Sequence, residues 1–344
     1  MDNKIVTFIV PAYNAERYLN KCLSSFLLSE RVREEIEVII VNDGSNDATR
    51  EIGEKYSTAF PGLFILIDKE NGGHGSAINV ASSSARGRYM KVVDADDWVD
   101  TENLEQYISD LRQSSADVVI THFHTAHVVS GKKTAIKTSG VQFGKTYSMA
   151  EFMGLGKGAL SCCMFHGITY RTAFYRSCGL LLSEKISYED QEYCTLPFIY
   201  IKTVLFLDLF LYEYLIGSVD QSMSDANQVA RAWQLEHVFW KILGEYKNSE
   251  PVSTAVSQYI LYKLAETLQN YYVTMLIRNK DRKKGRKEAA RLRDESAKSL
   301  PTLKPLAVFR YRLLLAMHCL HISPGHLETA KRSRLYTWLR MAVR

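Results

Sequence analysis

Short apolar runs alternate with amphipathic stretches through the first 121 residues. Lys4–Val10 is apolar and mostly β-branched or aromatic at Ile5, Val6, Phe8, Ile9 and Val10, which predicts a strand that Pro11 stops. Ala15–Leu28 sets Leu19, Leu23, Phe26 and Leu27 on one helical face. Glu37–Val41 predicts a second buried strand, ending at Asn42-Asp-Gly-Ser, and a helix begins at Asp47 and Thr49. Leu63–Ile67 predicts a third strand, after which Asn71-Gly-Gly-His-Gly-Ser turns into a helix over Ala77–Ala85. Tyr89–Val93 predicts a fourth strand, 101–113 a helix and Ala116–Thr121 a fifth strand. This alternation predicts βαβ units: an α/β fold with a mostly parallel twisted sheet flanked by helices. Right-handed crossovers bring the strands' C-terminal ends to one edge. Pro11–Asn14, Asn42–Ser45 and Asp94–Asp97 therefore converge there, where open α/β sheets bind ligands.

Beyond residue 121 the pattern weakens. Thr125–Val129 and Thr134–Lys137 flank a Ser-Gly-Lys-Lys turn and predict a hairpin. A strand is expected at His166–Tyr170, a short helix at Arg171–Arg176, and two strands at Val204–Leu207 and Phe210–Leu215. Ile186-Ser-Tyr-Glu-Asp-Gln-Glu leads into a helix, and Gly217–Ser224 is a polar loop. From 226 on the pattern is helical. It predicts an α/β domain over 1–225 and a helical, basic C-terminal region over 226–344, with no internal repeat.

The stretch that demands chemistry is Asp94-Ala-Asp-Asp-Trp98, at the end of an apolar strand. Three carboxylates in four residues repel one another where the strand leaves little water, and a bound cation is the usual relief. Carboxylates together with diphosphate oxygens suit Mg²⁺ or Mn²⁺. The plainer alternative is a helix cap at Asp97 or Asp100, which accounts for one acid and not three. Gly72, Gly73 and Gly75 either let backbone N–H groups approach a phosphate at a helix start or simply make a turn with positive φ. A dinucleotide-binding fold is excluded in detail. Its first loop should carry glycines, and here it reads Pro-Ala-Tyr-Asn; no GxGxxG or P-loop occurs.

Composition adds less. With 344 residues, 46% hydrophobic and 24% charged, the chain is ordinary globular material. No apolar run approaches the ~18 residues of a membrane span, and Met-Asp-Asn-Lys followed by a strand is not a secretory leader. The six cysteines have no metal or CxxC spacing, which fits reduced thiols in a cytoplasmic protein. The net charge of +5 conceals an asymmetry: residues 278–344 carry 18 Lys and Arg against 5 Asp and Glu, leaving the first 277 residues net negative.

Taken together, Val10-Pro-Ala-Tyr-Asn, Val41-Asn-Asp-Gly-Ser, Asn71-Gly-Gly-His-Gly-Ser-Ala-Ile-Asn, Ala85-Arg-Gly-Arg-Tyr, Asp94-Ala-Asp-Asp and Tyr188-Glu-Asp resemble, in order and spacing, a family 2 glycosyltransferase of the GT-A fold. The resemblance covers about residues 4–220. It implies an inverting transfer of a sugar from a nucleoside diphosphate sugar, typically UDP-linked, to an acceptor hydroxyl on a glycan or lipid-linked acceptor. It implies a nucleotide-sugar half over about 1–122 and an acceptor half over 123–225. Pro11, Ala12 and Tyr13 would border base and ribose, Asp43 would accept from the base, and Gly73, Asp94 and Ala95 would lie by the ribose and diphosphate. Asp96 would hold the Mn²⁺ or Mg²⁺, and Asp190 would be the general base, with Glu189 as the second choice. Asp97, Trp98, Gln221 and Ser222 are expected around the acceptor and diphosphate. Trp98 either packs beneath the acceptor site or offers a ring for a sugar to stack on.

Two departures stand out. Many relatives carry Ala-Arg-Asn where this chain reads Ala77-Ile78-Asn79, and His74 and Lys91 are the candidate replacements for the lost cation. The loop at 217–224 holds no histidine for a metal. A GT-A scaffold without activity and a nucleotidyltransferase are the competing classes. The four acids Asp94, Asp96, Asp97 and Asp190 argue against the first, and the glycine-free first loop with Tyr188-Glu-Asp against the second.

Past residue 226, two amphipathic helices over 227–277 are followed by a charged helix at 279–298. Leu306–His321 and Leu335–Met341 then mix aromatic and aliphatic residues with arginine. Such a face suits the anionic inner surface of a cell membrane. A packed helical subdomain or a dimer contact is the alternative, and no nucleic-acid motif is present.

Overall fold

The expected strands assemble into one curled sheet. In the computed structural model, which describes residues 4–217, 225–249, 251–323 and 325, the described residues contain ten strands. They are β1 (Val6–Ala12), β2 (Ile36–Asp43), β3 (Phe64–Lys69), β4 (Tyr89–Val92), β5 (Trp98–Val99), β6 (Val118–His127), β7 (Lys133–Ile136), β8 (Thr146–Ser148), β9 (Ile168–Arg171) and β10 (Thr203–Ile216). Their order is β3-β2-β1-β4-β9-β6-β10-β5, with β7 beside β6 and β8 beside β10. β3, β2, β1 and β4 are parallel, and so are β6 and β10. β9 is antiparallel to both β4 and β6, so these six strands point the same way and deliver their C-terminal loops to one edge.

Burial explains the central strands. Every residue of β1 and β2 is buried, as expected where helices cover both faces of a parallel sheet. The one charge inside β2, Glu37, accepts from Thr7 Oγ1 at 2.5 Å, the Arg86 amide at 2.5 Å and Arg86 Nε at 2.7 Å. That full pairing is what makes a buried carboxylate tolerable. The helix Thr101–Gln113 starts and stops where its pattern predicts, and Asp100 caps it by accepting from the Glu102 amide at 3.0 Å.

Elsewhere side chains override the pattern. The helix expected over Ala15–Leu28 is helical only at Leu19–Ser24. Its first residues are pinned to the next loop: the Ala15 amide donates to Thr49 Oγ1 at 2.7 Å, the Asn14 amide to Ser45 Oγ at 3.0 Å, and the Asn46 amide to Asn14 Oδ1 at 2.9 Å. The two strands expected at 204–207 and 210–215 are one strand, β10, whose register slips between Phe206 and Tyr212 with Asp208 turned out to solvent. The first arm of the expected hairpin is the end of the long β6, paired with β7.

The described residues pack as two compact units, those within 1–221 together with 245–260, and those within 222–244 together with 261–344. In the first, Tyr259 stacks on Phe198 at 4.2 Å and donates to the Cys194 carbonyl at 2.8 Å, so the helical stretch 245–260 belongs with the sheet. In the second, Arg291 of the helix Arg282–Ser299 pairs with Glu236, Glu288 and Glu295 at 2.7 to 2.9 Å. Part of the basic charge is thereby used internally. No helix among the described residues is long and apolar enough to cross a membrane.

Candidate active site

Three loops meet at the C-terminal edge of the sheet. Pro11 and Ala12 are buried at the end of β1, and Tyr13, the next residue, is 52% exposed. Asp43, at the end of β2, is buried and accepts from Lys69 Nζ at 2.6 Å, the Gly72 amide at 2.9 Å and the Gly73 amide at 2.7 Å. Those two N–H groups therefore serve the protein's own carboxylate. Gly73 has φ +85°, and a Cβ there would stand 2.9 Å from the Lys185 amide nitrogen. A Cβ on Gly75 would stand 2.3 Å from the Ser183 carbonyl oxygen. The glycines thus give a positive-φ turn and let segment 183–186 lie against the start of the helix His74–Ser84.

The acids after β4 divide by environment. Asp97 is buried and accepts from Tyr212 Oη at 2.6 Å and the Leu215 amide at 2.7 Å. Tyr212 Oη in turn accepts from the Asp94 amide at 3.1 Å, so one phenol fixes the whole turn. Burial, then Asp94 and Asp96, hold the Asp97 carboxyl well above the usual carboxylate range. Asp96 is half-buried, and burial together with Asp94 lifts its carboxyl to about 6. Asp94 is also half-buried; burial raises it, but the hydrogen bond and charge of His74 outweigh that and hold it low. Asp94 and Asp97 share a small space with His166, their ligand atoms all lying within 4.8 Å of one another. Burial pulls the His166 imidazole down to about 4, and its buried Nδ1 has no hydrogen-bond partner among the described residues. Asp97 accepts one hydrogen bond on each oxygen, Asp94 Oδ1 meets His74, and His166 Nδ1 has no partner among the described residues, so all three keep lone pairs for a ligand, with Asp96 on the same turn beside them. Two crowded carboxylates and a neutral imidazole fit a divalent cation.

The second set of acids opens the short helix Glu189–Tyr193. Tyr188 precedes it at φ +72° and Lys185 sits at φ +57°, conformations that side chains avoid unless the surroundings impose them. Glu189 is buried, with Oε1 2.7 Å from His74 Nδ1 and Oε2 without a hydrogen bond among the described residues. Its neighbour Asp190 is exposed to solvent. Desolvation by the surrounding protein and then the negative Glu189 raise its carboxyl to about 6. The two sets of acids act on one side chain: the half-buried Tyr214 hydroxyl is pushed up to about 12 by burial and then by Asp97, Asp94, Asp96 and Asp190.

His74 joins them, with Nε2 2.9 Å from Asp94 Oδ1 and Nδ1 on Glu189. Burial draws its pKa down, but the two carboxylates prevail and hold it well above the usual value. Lys91 does not enter the cleft. It is fully buried, donates to the His166 and Ile168 carbonyls at 2.7 and 3.3 Å, and burial lowers it to about 7. Trp98 is half-buried and carries Lys21 Nζ 3.0 Å above its ring, so that face is already covered by a cation. Gln221 and Ser222 lie outside the described residues. His166, Tyr212 and Lys69 were not expected at the site. Lys69 follows a strand that points at the loops, which is a weak signal; Tyr212 and His166 lie in apolar stretches and carry none.

Residues 7–178 match the model of the family described as glycosyl transferase family 2. The chain belongs to that family. Among curated relatives it is 29% identical over 214 residues to the uncharacterized glycosyltransferase EpsJ of Bacillus subtilis, covering 61% of this chain and 60% of that protein. It is 26% identical over 219 residues to the poly(ribitol-phosphate) β-N-acetylglucosaminyltransferase TarS of Staphylococcus aureus, covering 63% of this chain and 36% of that protein. The matches thus span less than two thirds of these relatives' lengths. Among solved structures, S. aureus TarS 1–349 in complex with UDP-GlcNAc superposes with a TM-score of 0.56 at 19% identity, covering 92% of each chain. The mannosyltransferase PcManGT of Pyrobaculum calidifontis, in complex with GDP-Man and Mn²⁺, gives 0.52 at 18% identity, covering 92% of this chain and 86% of that one. These likenesses establish the GT-A fold of this family 2 chain.

Proposed function

We propose that this chain is an inverting glycosyltransferase that moves a sugar from a nucleoside diphosphate sugar, UDP-linked in the first instance, to an acceptor hydroxyl. The observation that carries the reading is the division of labour among the acids. Asp94 and Asp96 stand at the end of β4, where a donor diphosphate would lie. Asp190 stands across the same space, open to solvent, with a carboxyl near 6. Glu189, the other candidate base, is buried and bound to His74, which leaves it poorly placed to meet an acceptor. A base tuned toward the working pH takes the acceptor's proton while remaining mostly ionised. Attack from the face opposite the leaving diphosphate then inverts the anomeric carbon in one displacement. That parallels the two-carboxylate logic of inverting hydrolases, with an acceptor hydroxyl in place of water.

Asp96, beside the cluster of Asp94, Asp97 and His166, would hold a divalent cation with their help, and the cation when bound would supply positive charge to the diphosphate. The residues themselves orient the donor. Tyr13 lies exposed beside the expected base pocket, and Asp43 is fixed by Lys69 and two amides with lone pairs to spare. The nucleotide sugars in the TarS and PcManGT structures support a donor of this kind. The name of TarS, a poly(ribitol-phosphate) β-N-acetylglucosaminyltransferase, supports a polymeric acceptor, and the role we infer is in cell-surface polysaccharide or glycolipid synthesis. We place the donor half at about 1–122 and the acceptor half at about 123–225. The basic region carries exposed Leu306, Phe309 and Leu320 near exposed Lys304 and Arg312, a face that suits contact with an anionic membrane on its cytoplasmic side. The test is a panel of UDP-, GDP- and dTDP-sugars with Mn²⁺, read as release of nucleoside diphosphate. Release with one donor and loss of that release in Asp190→Asn is the expected result. Silence across the panel, or undiminished turnover in the variant, overturns the reading.

A further inference from the structure

The acid pair Glu189-Asp190 sits on a helix of five residues, entered through a left-handed Tyr188. So short a helix does not hold its own orientation. Packing anchors its far end, where Tyr193 is buried against Phe165, Tyr170 and Tyr175, and side-chain contacts at Glu192 and Glu189 hold the rest. Glu192 accepts from the Ser183 amide at 2.8 Å and from Ser183 Oγ at 2.7 Å. Glu189 meets His74 Nδ1 at 2.7 Å, while Nε2 of the same ring meets Asp94 Oδ1 at 2.9 Å. Ser183 itself can come this close because Gly75, next to His74, has no side chain to strike its carbonyl.

We propose that His74 is a positioning residue that ties the acid-bearing helix to the donor-side carboxylate Asp94 and so aims Asp190 into the cleft. Successive helical residues project about 100° apart, so fixing the direction of Glu189 fixes that of Asp190. The rigid, planar imidazole is the right bridge, since its two nitrogens meet partners on opposite sides of one ring. A lysine offers its donors from one atom, and a glutamine presents its two donors from a single nitrogen. The ring also rests against Phe165, at 5.5 Å between centroids, which limits its rotation. In this arrangement His74 acts through Glu189.

The inference rests on Asp190 being the base of a glycosyltransferase, so the test includes an arm that needs no turnover. H74Q, E189A, E189Q and the double variant H74Q/E189A are made in the full chain. Each is measured for kcat with the best donor, for UDP binding in Mn²⁺ by calorimetry, and for thermal unfolding. H74Q and E189A should each lower kcat at least about tenfold while the UDP Kd moves less than about threefold. The double variant should lose no more than the worse single one, because the two residues act as one unit. E189Q, whose amide oxygen still accepts from Nδ1–H, should recover most of what E189A loses. Additive losses in the double variant, or an E189Q as inactive as Asp190→Asn, would overturn the proposal, the latter by making Glu189 the base. A loss of UDP binding equal to the loss of kcat would also overturn it, by making His74 a donor-binding residue. If the wild type releases no diphosphate from any donor, the glycosyltransferase reading fails. The bridge is then judged by unfolding alone: non-additive midpoints in the His74/Glu189 cycle support it and additive ones refute it.

Discussion

Replacing Asp190 by asparagine tests the chemistry at its centre. The substitution keeps size and shape and removes the basic oxygen pair. Loss of a positioned general base costs about 10²–10⁴-fold in kcat. Donor affinity should be nearly unchanged, because the donor-side residues we propose are Asp43, Asp94 and Asp96. The structure also fixes where the wild-type activity should fade. With a carboxyl near 6, about ten molecules in eleven carry the active form at pH 7 and about one in eleven at pH 5. Turnover at subsaturating acceptor should therefore drop about tenfold between those values, whereas an aspartate near 4 would lose about a tenth. Asp96 also stands near 6 and could imitate this limb. The two separate by metal: a cation on Asp96 displaces its proton, so that limb moves to lower pH as Mn²⁺ is raised, and the Asp190 limb stays. The assay is release of nucleoside diphosphate from pH 4.5 to 8 at low and saturating Mn²⁺. A limb near 4 at saturating Mn²⁺, or an Asp190→Asn enzyme within a few fold of wild type, refutes the reasoning.

Tyr212→Phe removes the donor to Asp97 and the acceptor for the Asp94 amide, and should cost about 1–3 kcal/mol in thermal or denaturant unfolding; a loss below about 0.5 kcal/mol would show that the phenol is not what fixes the turn. Asp97 holds a proton in the folded state that the unfolded chain gives up above about 4, so it favours folding in acid and costs stability as pH rises through that window. Asp97→Asn keeps an acceptor for the Leu215 amide, and should gain in melting temperature relative to wild type between pH 5 and 8; parallel curves would contradict the raised carboxyl. Gly75→Ala drives a Cβ against the Ser183 carbonyl, and should destabilise by about 1–3 kcal/mol and disturb kcat through the 183–189 segment; a neutral variant would mean the segment yields freely. Sedimentation with anionic vesicles at low salt should carry the full chain down and release it at high salt, with Phe309→Ser weakening the effect; recovery in the supernatant at low salt removes the membrane contact.

The strands β1 to β4 and the helix 101–113 were legible because one local signal decides each: apolar runs for the strands, fully buried in β1, β2 and β4, and a helical period behind an aspartate cap. Prediction failed where a distant partner decides. The helix at 15–28 is cut short where the Ala15 and Asn14 amides donate to the Thr49 and Ser45 hydroxyls, some thirty residues away. The slip in β10 puts Asp208 outside without ending the strand, although in sequence it looks like a turn. The glycines at 72–75 were readable as a phosphate cradle or as a turn. Their use depends on Asp43 and on segment 183–186, which lie 30 and 110 residues off, so composition alone could not choose. The lost arginine at Ile78 follows the same logic. His74 and Lys91 were equal candidates on charge. Burial separates them: Lys91 spends its ammonium on two carbonyls beneath the sheet, while His74, one helical turn before Ile78 and on the same face, reaches both carboxylate sets. A cation's sign can be read from a sequence, but the atom it will meet is decided by which strand ends bring their acids within 3 Å of it.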